Sequence, residues 1–280
     1  MDDPWGQTVS GPRLSSAVRR IEFTLSCEAI LDVTLTTERF DPPLLDTAVS
    51  SALLRRVAAG ELPSTFRLWT PDRIVAFGRS DRSRPGYPEA VRLAREAGFA
   101  PVERLAGGKA AVFHEGTLAF AWAVPEPRPR ETFEARFEAV AELIAKALGT
   151  LGVDARVGEV PGEYCPGRFS VNARGTVKIM GVGQRLVRDA AHIGGVVVVE
   201  DAPLVNRPLI PVYDALDYEW DPAVTGAVID EGGPGLVAVR DAIVNELGTD
   251  HRVDRGTVDR ATVDLARTLV TDHAPPDSIP

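Results

Sequence analysis

The stretch Val102-Glu-Arg-Leu-Ala-Gly-Gly-Lys-Ala-Ala-Val-Phe-His-Glu-Gly-Thr-Leu-Ala-Phe-Ala-Trp-Ala-Val124 carries three strand-like runs, at 102–104, 110–113 and 117–124. The links between them are too short to hold a helix. The last run is continuously apolar, as suits a buried strand. Parallel strands need a crossover of a dozen or more residues, usually helical, whereas hairpin-length links join antiparallel strands. Such short links dominate this chain, so the pattern predicts an α+β fold with a mixed, mainly antiparallel β-sheet and flanking helices.

Upstream, residues 46–59 read as a helix with Asp46 as N-cap and Gly60 beyond its end. Strands at 66–69 and 74–77 follow, separated by the turn Thr-Pro-Asp-Arg, and then a helix at 88–97 that stops at Gly98. Downstream, Phe133, Phe137, Val140, Ile144 and Leu148 recur at helical spacing along a helix over 131–148. Strands are expected at 153–157, 169–172, 178–185 and 192–199. A polar, proline-marked connection over 201–235 leads to closing helices at 236–247 and 257–270. There is no internal repeat. Residues 1–20 read as a loose leader, and partial alternation over 20–40 (Ile21, Phe23, Leu25) suggests an edge strand. The expected organisation is a leader with an edge strand over 1–40 and one folded domain over 41–280.

At 280 residues, with 44 % hydrophobic and 25 % charged side chains, the chain matches an ordinary globular protein. Its net charge of −9 argues against nucleic acid as the main partner. Two cysteines, Cys27 and Cys165, offer neither a disulfide framework nor a CxxC metal or redox pair. The start lacks a signal-peptide layout, and no apolar stretch nears the ~20 residues of a membrane span, so a cytoplasmic protein without a membrane partner is expected. Of 31 Lys+Arg only three are lysines, Lys109, Lys146 and Lys178. Arginine covers nearly every generic surface role, so a lysine in an unusual setting stands out.

Two segments concentrate chemistry-bearing residues. In 104–116, Gly107 and Gly108 let backbone amides approach an anion closely, and Arg104 and Lys109 add positive charge. A Gly-Gly hairpin turn with solvated charges explains the same residues. His114 by itself is as well explained by a structural hydrogen bond. In 162–185, Lys178 lies between Val177 and Ile179 in an apolar strand-like run. A lysine there points into a polar cavity or leaves its charge poorly solvated. Cys165, in the loop Tyr-Cys-Pro-Gly, is either a thiol activated by nearby cations or an inert, partly buried one. His192 opens the small-residue entry His-Ile-Gly-Gly into a buried strand. Together these residues describe an anion-accommodating pocket suited to acyl or phosphoryl chemistry. Gly181-Val-Gly183 lacks the third glycine of a dinucleotide fingerprint, and Gly107-Gly108-Lys109 is not a P-loop.

Taken jointly, Arg104-Leu-Ala-Gly-Gly-Lys-Ala-Ala-Val-Phe-His114, Lys178-Ile-Met-Gly-Val-Gly-Gln-Arg185 and His192-Ile-Gly194 resemble the lipoate–protein ligase and octanoyltransferase superfamily, relatives of biotin–protein ligase. The resemblance covers roughly 45–270. It implies a biotin/lipoate protein ligase-like catalytic domain over 41–280, including the two C-terminal helices, that attaches an octanoyl or lipoyl group to a protein lysine. By the resemblance, the Arg104–His114 segment encloses the carboxyl end of the acyl chain, with Gly107, Gly108 and Lys109. Lys178 contacts the acyl carbonyl, and Gly181, Gln184, His192 and Gly194 belong to the substrate site. A basic patch of Arg79, Arg104, Arg168 and Arg185 would steer the protein partner.

Two branches of the superfamily differ in chemistry. The cysteine-type octanoyltransferases form a thioester and need no cofactor; the ligases use ATP and Mg²⁺ to make an acyl-adenylate from lipoate or octanoate. Cys165, thirteen residues before Lys178, and Lys109 in place of a third glycine favour the transferase branch. Cys165 is then the nucleophile. The Cys-Pro-Gly context and His192-Ile-Gly194, where the family has His directly before Gly, depart from the pattern, and Asn172 stands near the Asn-Asp of ligases. The implied partners are lipoyl domains of 2-oxoacid dehydrogenase E2 or glycine cleavage H protein, with acyl carrier protein as a possible donor. A different class, a non-catalytic acyl-binding or assembly protein on the same fold, predicts acyl binding without turnover. The loop that marks biotin ligation is absent.

Overall fold

The computed structural model describes residues 31–276. The leader, the alternating residues Ile21, Phe23 and Leu25, and Cys27 lie outside the described residues. In chain order the strands are β1 Leu31–Thr36, β2 Ser64–Trp69, β3 Ile74–Phe77, β4 Ala100–Glu103, β5 Ala111–Phe113, β6 Thr117–Pro125, β7 Ala155–Val157, β8 Val171–Ala173, β9 Val177–Val187, β10 Ala190–Val198 and β11 His251–Arg255. The helices are α1 Pro43–Ala58, the single turn α2 Arg79–Arg82, α3 Tyr87–Glu96, α4 Phe133–Thr150, α5 Ala202–Ala215, α6 Leu236–Asp250 and α7 Arg260–Leu269.

The strands form an eight-stranded sheet in the order β11-β1-β2-β6-β10-β9-β8-β7 and a three-stranded sheet β4-β3-β5. In the large sheet only β1 pairs in parallel, with β2 and β11. The rest is antiparallel, centred on the long β6, β10 and β9. This is the expected α+β class with a mainly antiparallel sheet. Helices α4 and α6 bury their apolar faces on one side of the large sheet, with Ile144, Leu148 and Ile243 fully buried. Helices α3 and α5 cover the small sheet, and α1 packs with α7 beside β6 and β10.

Several expectations are corrected. Helix α1 begins at Pro43, whose fixed φ suits a first helical position, so Asp46 lies inside the helix and is not its N-cap. Asp46 is instead buried: it accepts from Trp69 Nε1 at 2.7 Å and pairs with the fully buried Arg67. The described strand nearest the expected edge strand, β1, is internal to the large sheet, with β11 on its outer side. Strand β11 itself, with only His251 and Val253 half-buried, shows too little apolar alternation to be recognised. The connection expected over 201–235 contains the helix α5, despite Pro208 and Pro211 inside it. Val205, Leu209, Val212 and Tyr213 pack against the small-sheet layer, and that burial outweighs the proline cost.

Candidate active site

The two segments singled out in the sequence meet around one thiol. Cys165 is half-buried in the loop between β7 and β8, at a left-handed φ of 42°. Its loop is tied from inside by Glu163, which accepts from Val160 N–H at 2.9 Å, Gly167 N–H at 3.2 Å and Ser170 Oγ at 2.6 Å. Lys178 rises from β9 into the same knot and is only 1 % exposed. Its Nζ donates to Glu163 Oε1, the Tyr164 carbonyl and the Cys165 carbonyl, each at 2.9 Å. All three ammonium hydrogens are thereby taken. Lys178 does point from an apolar strand into a polar pocket, but the pocket is the underside of the cysteine loop. Gly181 leaves room for it: a Cβ there would lie 3.2 Å from Lys178 Cε.

Over the thiol lies the turn between β4 and β5. Arg104 Nη2 donates to Cys165 Sγ at 3.4 Å and to the Lys109 carbonyl at 2.6 Å. The Lys109 backbone N–H donates to the same sulfur at 3.2 Å. Gly108 has φ +102°, and a Cβ there would come within 2.8 Å of Sγ and 2.4 Å of Arg104 Nη2. Glycine is required both by the conformation and by the close approach. Burial by itself pushes the Cys165 thiol up. The charges of Arg104 and Lys178, and the bonds from Arg104 and Lys109 N–H, outweigh it and hold the thiol below its ordinary value.

Tyr213 of α5 locks the two loops together. It accepts from the Cys165 backbone N–H at 3.0 Å and donates to the Ala110 carbonyl at 2.9 Å. Sequence reasoning missed Tyr213 because it lies in the stretch read as a connection. It also missed Glu163, whose only sequence signal is its position two residues before Cys165.

The thiol opens onto a cleft of about 340 Å³ whose apolar wall is Phe133, Phe137, Phe169 and Val182. Phe137 and Phe169 stack at 5.1 Å. Gln184 sits at its edge, where it accepts from Arg136 Nε at 3.1 Å and donates to the Phe133 carbonyl at 2.8 Å, fixing the start of α4. On the other side of the 104–107 turn, a cavity of about 80 Å³ lies between the two sheets, lined by Arg104, Trp69, Phe113, Phe120, His192 and Gly194 among others. A Cβ at Gly194 would meet His192 Nε2 at 2.6 Å. His192 Nδ1 is buried with no hydrogen-bond partner among the described residues. Burial, with His273 nearby, pushes His192 down to about 4, so its ring is neutral at pH 7.

The structure thus brings Cys165, Lys178, Arg104, Gly107, Gly108 and Lys109 together, with His192 and Gly194 one cavity away. His114 is not among them. It is buried in the turn between β5 and β6, accepts from Gly116 N–H at 3.0 Å through Nδ1, and lines none of these cavities. Asn172 is a turn residue, accepting from Gly175 N–H at 2.8 Å and donating to the Gly158 carbonyl at 2.9 Å. Arg168 pairs with Glu134 at 2.8 Å and lies over the Phe169 ring.

The fold is that of lipoate–protein ligase catalytic domains. The chain superposes on a lipoate-protein ligase A solved with ATP, with TM-score 0.69, 18 % identity and coverage of 86 % of this chain and 94 % of that one. It superposes on a bi-partite lipoate protein ligase from Thermoplasma acidophilum with TM-score 0.65, 21 % identity and coverage of 86 % and 92 %. The model of the lipoyl protein ligase A/B catalytic domain matches residues 42–203, and the chain belongs to that family. An octanoyl-GcvH:protein N-octanoyltransferase of Geobacillus kaustophilus is 34 % identical over 56 % of this chain and 54 % of its own length. A lipoyl-GcvH:protein N-lipoyltransferase of Listeria monocytogenes is 27 % identical over 55 % of each chain. The chain spans about half the length of the curated relatives it matches.

Proposed function

We propose that this protein transfers an octanoyl or lipoyl group onto the lysine of a lipoyl-domain protein through a thioester on Cys165. The observation that carries this is the pair of donors, Arg104 Nη2 and Lys109 N–H, converging on Cys165 Sγ. The names of the relatives support GcvH as donor and a protein as acceptor; the acceptor we assign is a lipoyl domain, such as that of a 2-oxoacid dehydrogenase E2.

The Cys165 thiolate attacks the acyl carbonyl of octanoyl-lysine. A C–S bond forms, the C–N bond breaks, and the lysine amine leaves with a proton drawn from solvent. The acceptor amine then attacks the thioester, its C–N bond forms as the C–S bond breaks, a proton returns to solvent and the thiolate is restored. Overall one amide is exchanged for another, so no nucleotide is needed as a driving force. Arg104 and the 107–109 turn stabilise the anionic sulfur. We assign the cavity of Trp69, Phe120, His192 and Gly194, which Arg104 links to the thiol, to the acyl tail. Lys178 is assigned as a positioning residue that fixes the cysteine loop, and Gln184 fixes the rim. We assign β1 together with residues 41–280 to the catalytic unit, and the cytoplasm as location, since a reducing compartment keeps an accessible thiol free. No described helix is long and apolar enough to cross a membrane.

The test supplies octanoyl-GcvH and an unmodified lipoyl domain and follows acceptor mass, with octanoyl–acyl carrier protein as a second donor. Octanoylation of the acceptor without ATP, lost in Cys165→Ala, is the expected result. Modification only with free lipoate plus ATP, unaffected by Cys165→Ala, overturns the thioester route in favour of ligation. Acyl binding without turnover from any donor overturns catalysis altogether.

A further inference from the structure

Most surface arginines with described side chains are matched by carboxylates, as in Arg39–Asp72, Arg73–Glu115 and Arg252–Asp32. Arg79, Arg130, Arg185 and Arg188 have no carboxylate within ion-pair distance among the described residues. All four line two clefts that share Val187, at the end of β9. The first cleft, about 310 Å³, holds Arg79 and Arg185 with Arg55, Arg82 and Arg104 against Glu103 and Asp272. The second, about 550 Å³, holds Arg130 and Arg188 with Arg128 against Glu131. On a chain of net charge −9, the surface around the β9–β10 turn therefore carries a clear positive excess.

This face adjoins the thiol. Arg104 lines the first cleft and also donates to Cys165 Sγ. Gly78, beside Arg79, packs directly on the Gly108 carbonyl, which also accepts from Ser80 Oγ at 2.9 Å. Arg104 ties the first cleft to the thiol and the second cleft meets the first at Val187, so these clefts form a surface beside Cys165 that a protein presenting an acyl-lysine would face. Clustered cations without counter-charges repel one another and are relieved by an opposing negative surface.

We propose that the arginine face around the β9–β10 turn docks an acidic surface patch of the acyl-bearing lipoyl-domain protein. This rests on the reading that donor and acceptor are proteins, and it adds where they bind and by what chemistry. The unpaired guanidinium groups are divided between two open clefts, which suits scattered carboxylates better than one small anion. Asp272, Glu103 and Glu131, with Asp189 in the β9–β10 turn itself, interrupt the face, which disfavours a continuous phosphate backbone.

The experiment compares wild type with the exposed double variant Arg130→Glu/Arg188→Glu. Binding to octanoyl-GcvH is titrated at low salt and at about 0.5 M salt. Acylation of Cys165 by a small octanoyl thioester is followed separately by intact mass. The variant is expected to bind at least about tenfold more weakly at low salt, wild-type binding is expected to weaken with salt, and small-thioester acylation is expected to be unchanged. Equal binding by wild type and variant, or salt-independent wild-type binding, overturns the docking face whether or not acyl transfer occurs. If Cys165 is never acylated while binding remains salt- and charge-sensitive, the thioester reading falls and the docking face stands. Duplex DNA that binds wild type more tightly than octanoyl-GcvH does also overturns the proposal.

Discussion

Lys178 Nζ donates to the carbonyl oxygen of Cys165 at 2.9 Å, so the buried ammonium holds the backbone of the residue whose thiol faces the cleft. Its charge also favours the thiolate. One side chain thereby contributes to both the position and the acidity of the sulfur.

Lys178→Met removes three hydrogen bonds at once and leaves the Glu163 carboxylate buried without its counter-charge. Breaking a buried pair costs about 3–5 kcal/mol. Urea denaturation is expected to show a loss of that order, together with loss of acyl transfer. Lys178→Met/Glu163→Gln is expected to regain part of the stability but not the activity. Normal transfer by Lys178→Met contradicts the positioning role.

The thiol of Cys165 is held below its ordinary value, with Arg104 the main cation opposing the cost of burial. The reactive form is the thiolate, so alkylation by iodoacetamide rises with pH. The midpoint is expected below that of free cysteine, near pH 8.5. Arg104→Met is expected to move the midpoint upward. An unshifted profile in that variant removes Arg104 as the activating charge.

Gly108→Ala places a methyl within 2.8 Å of Sγ at a φ of +102°. The expected result is a loss of Cys165 acylation of at least about 100-fold, because a misplacement near 1 Å costs that much. The turn is exposed at this point, so circular dichroism is expected to show an intact fold.

Tyr213→Phe keeps the ring but removes the hydroxyl that joins the Cys165 amide to the Ala110 carbonyl. Stability is expected to fall by about 1–2 kcal/mol. If the hydroxyl positions the loop, kcat for acyl transfer falls about tenfold while KM for the acceptor stays constant. A drop in stability alone confines Tyr213 to a structural role.

His192 is pushed down to about 4 by burial and by His273. The unfolded chain takes up this proton near pH 6.5, the folded chain only near 4. Stability is therefore full above pH 6.5 and declines as pH falls toward 4, by up to about 3 kcal/mol. His273, lowered mainly by burial, adds to the decline in the same direction. Thermal melts from pH 7.5 to 4 are expected to show it, and His192→Gln is expected to flatten the curve.

Local pattern was enough for much of this protein. Short links between apolar runs pointed to a mainly antiparallel sheet, although β4, β5 and β6, three runs joined by short links, do not pair with one another: β3 lies between β4 and β5, and β6 belongs to the other sheet. The segments 104–116 and 162–185 stood out because glycines, a lysine in an apolar strand and a loop cysteine are each costly unless something uses them. Those signals are properties of neighbours along the chain. Which groups meet across it is decided by long-range packing. Pro208 and Pro211 argue locally against a helix, yet burial of α5 on the small sheet overrides them and delivers Tyr213 to the cysteine loop. His114 carries a motif position, yet the turn into β6 carries it away from the thiol. Lys178 stood out as embedded from sequence alone. That its three protons go to Glu163, Tyr164 and Cys165 follows only from the fold, because the register of β9 against β8 aims it under that loop.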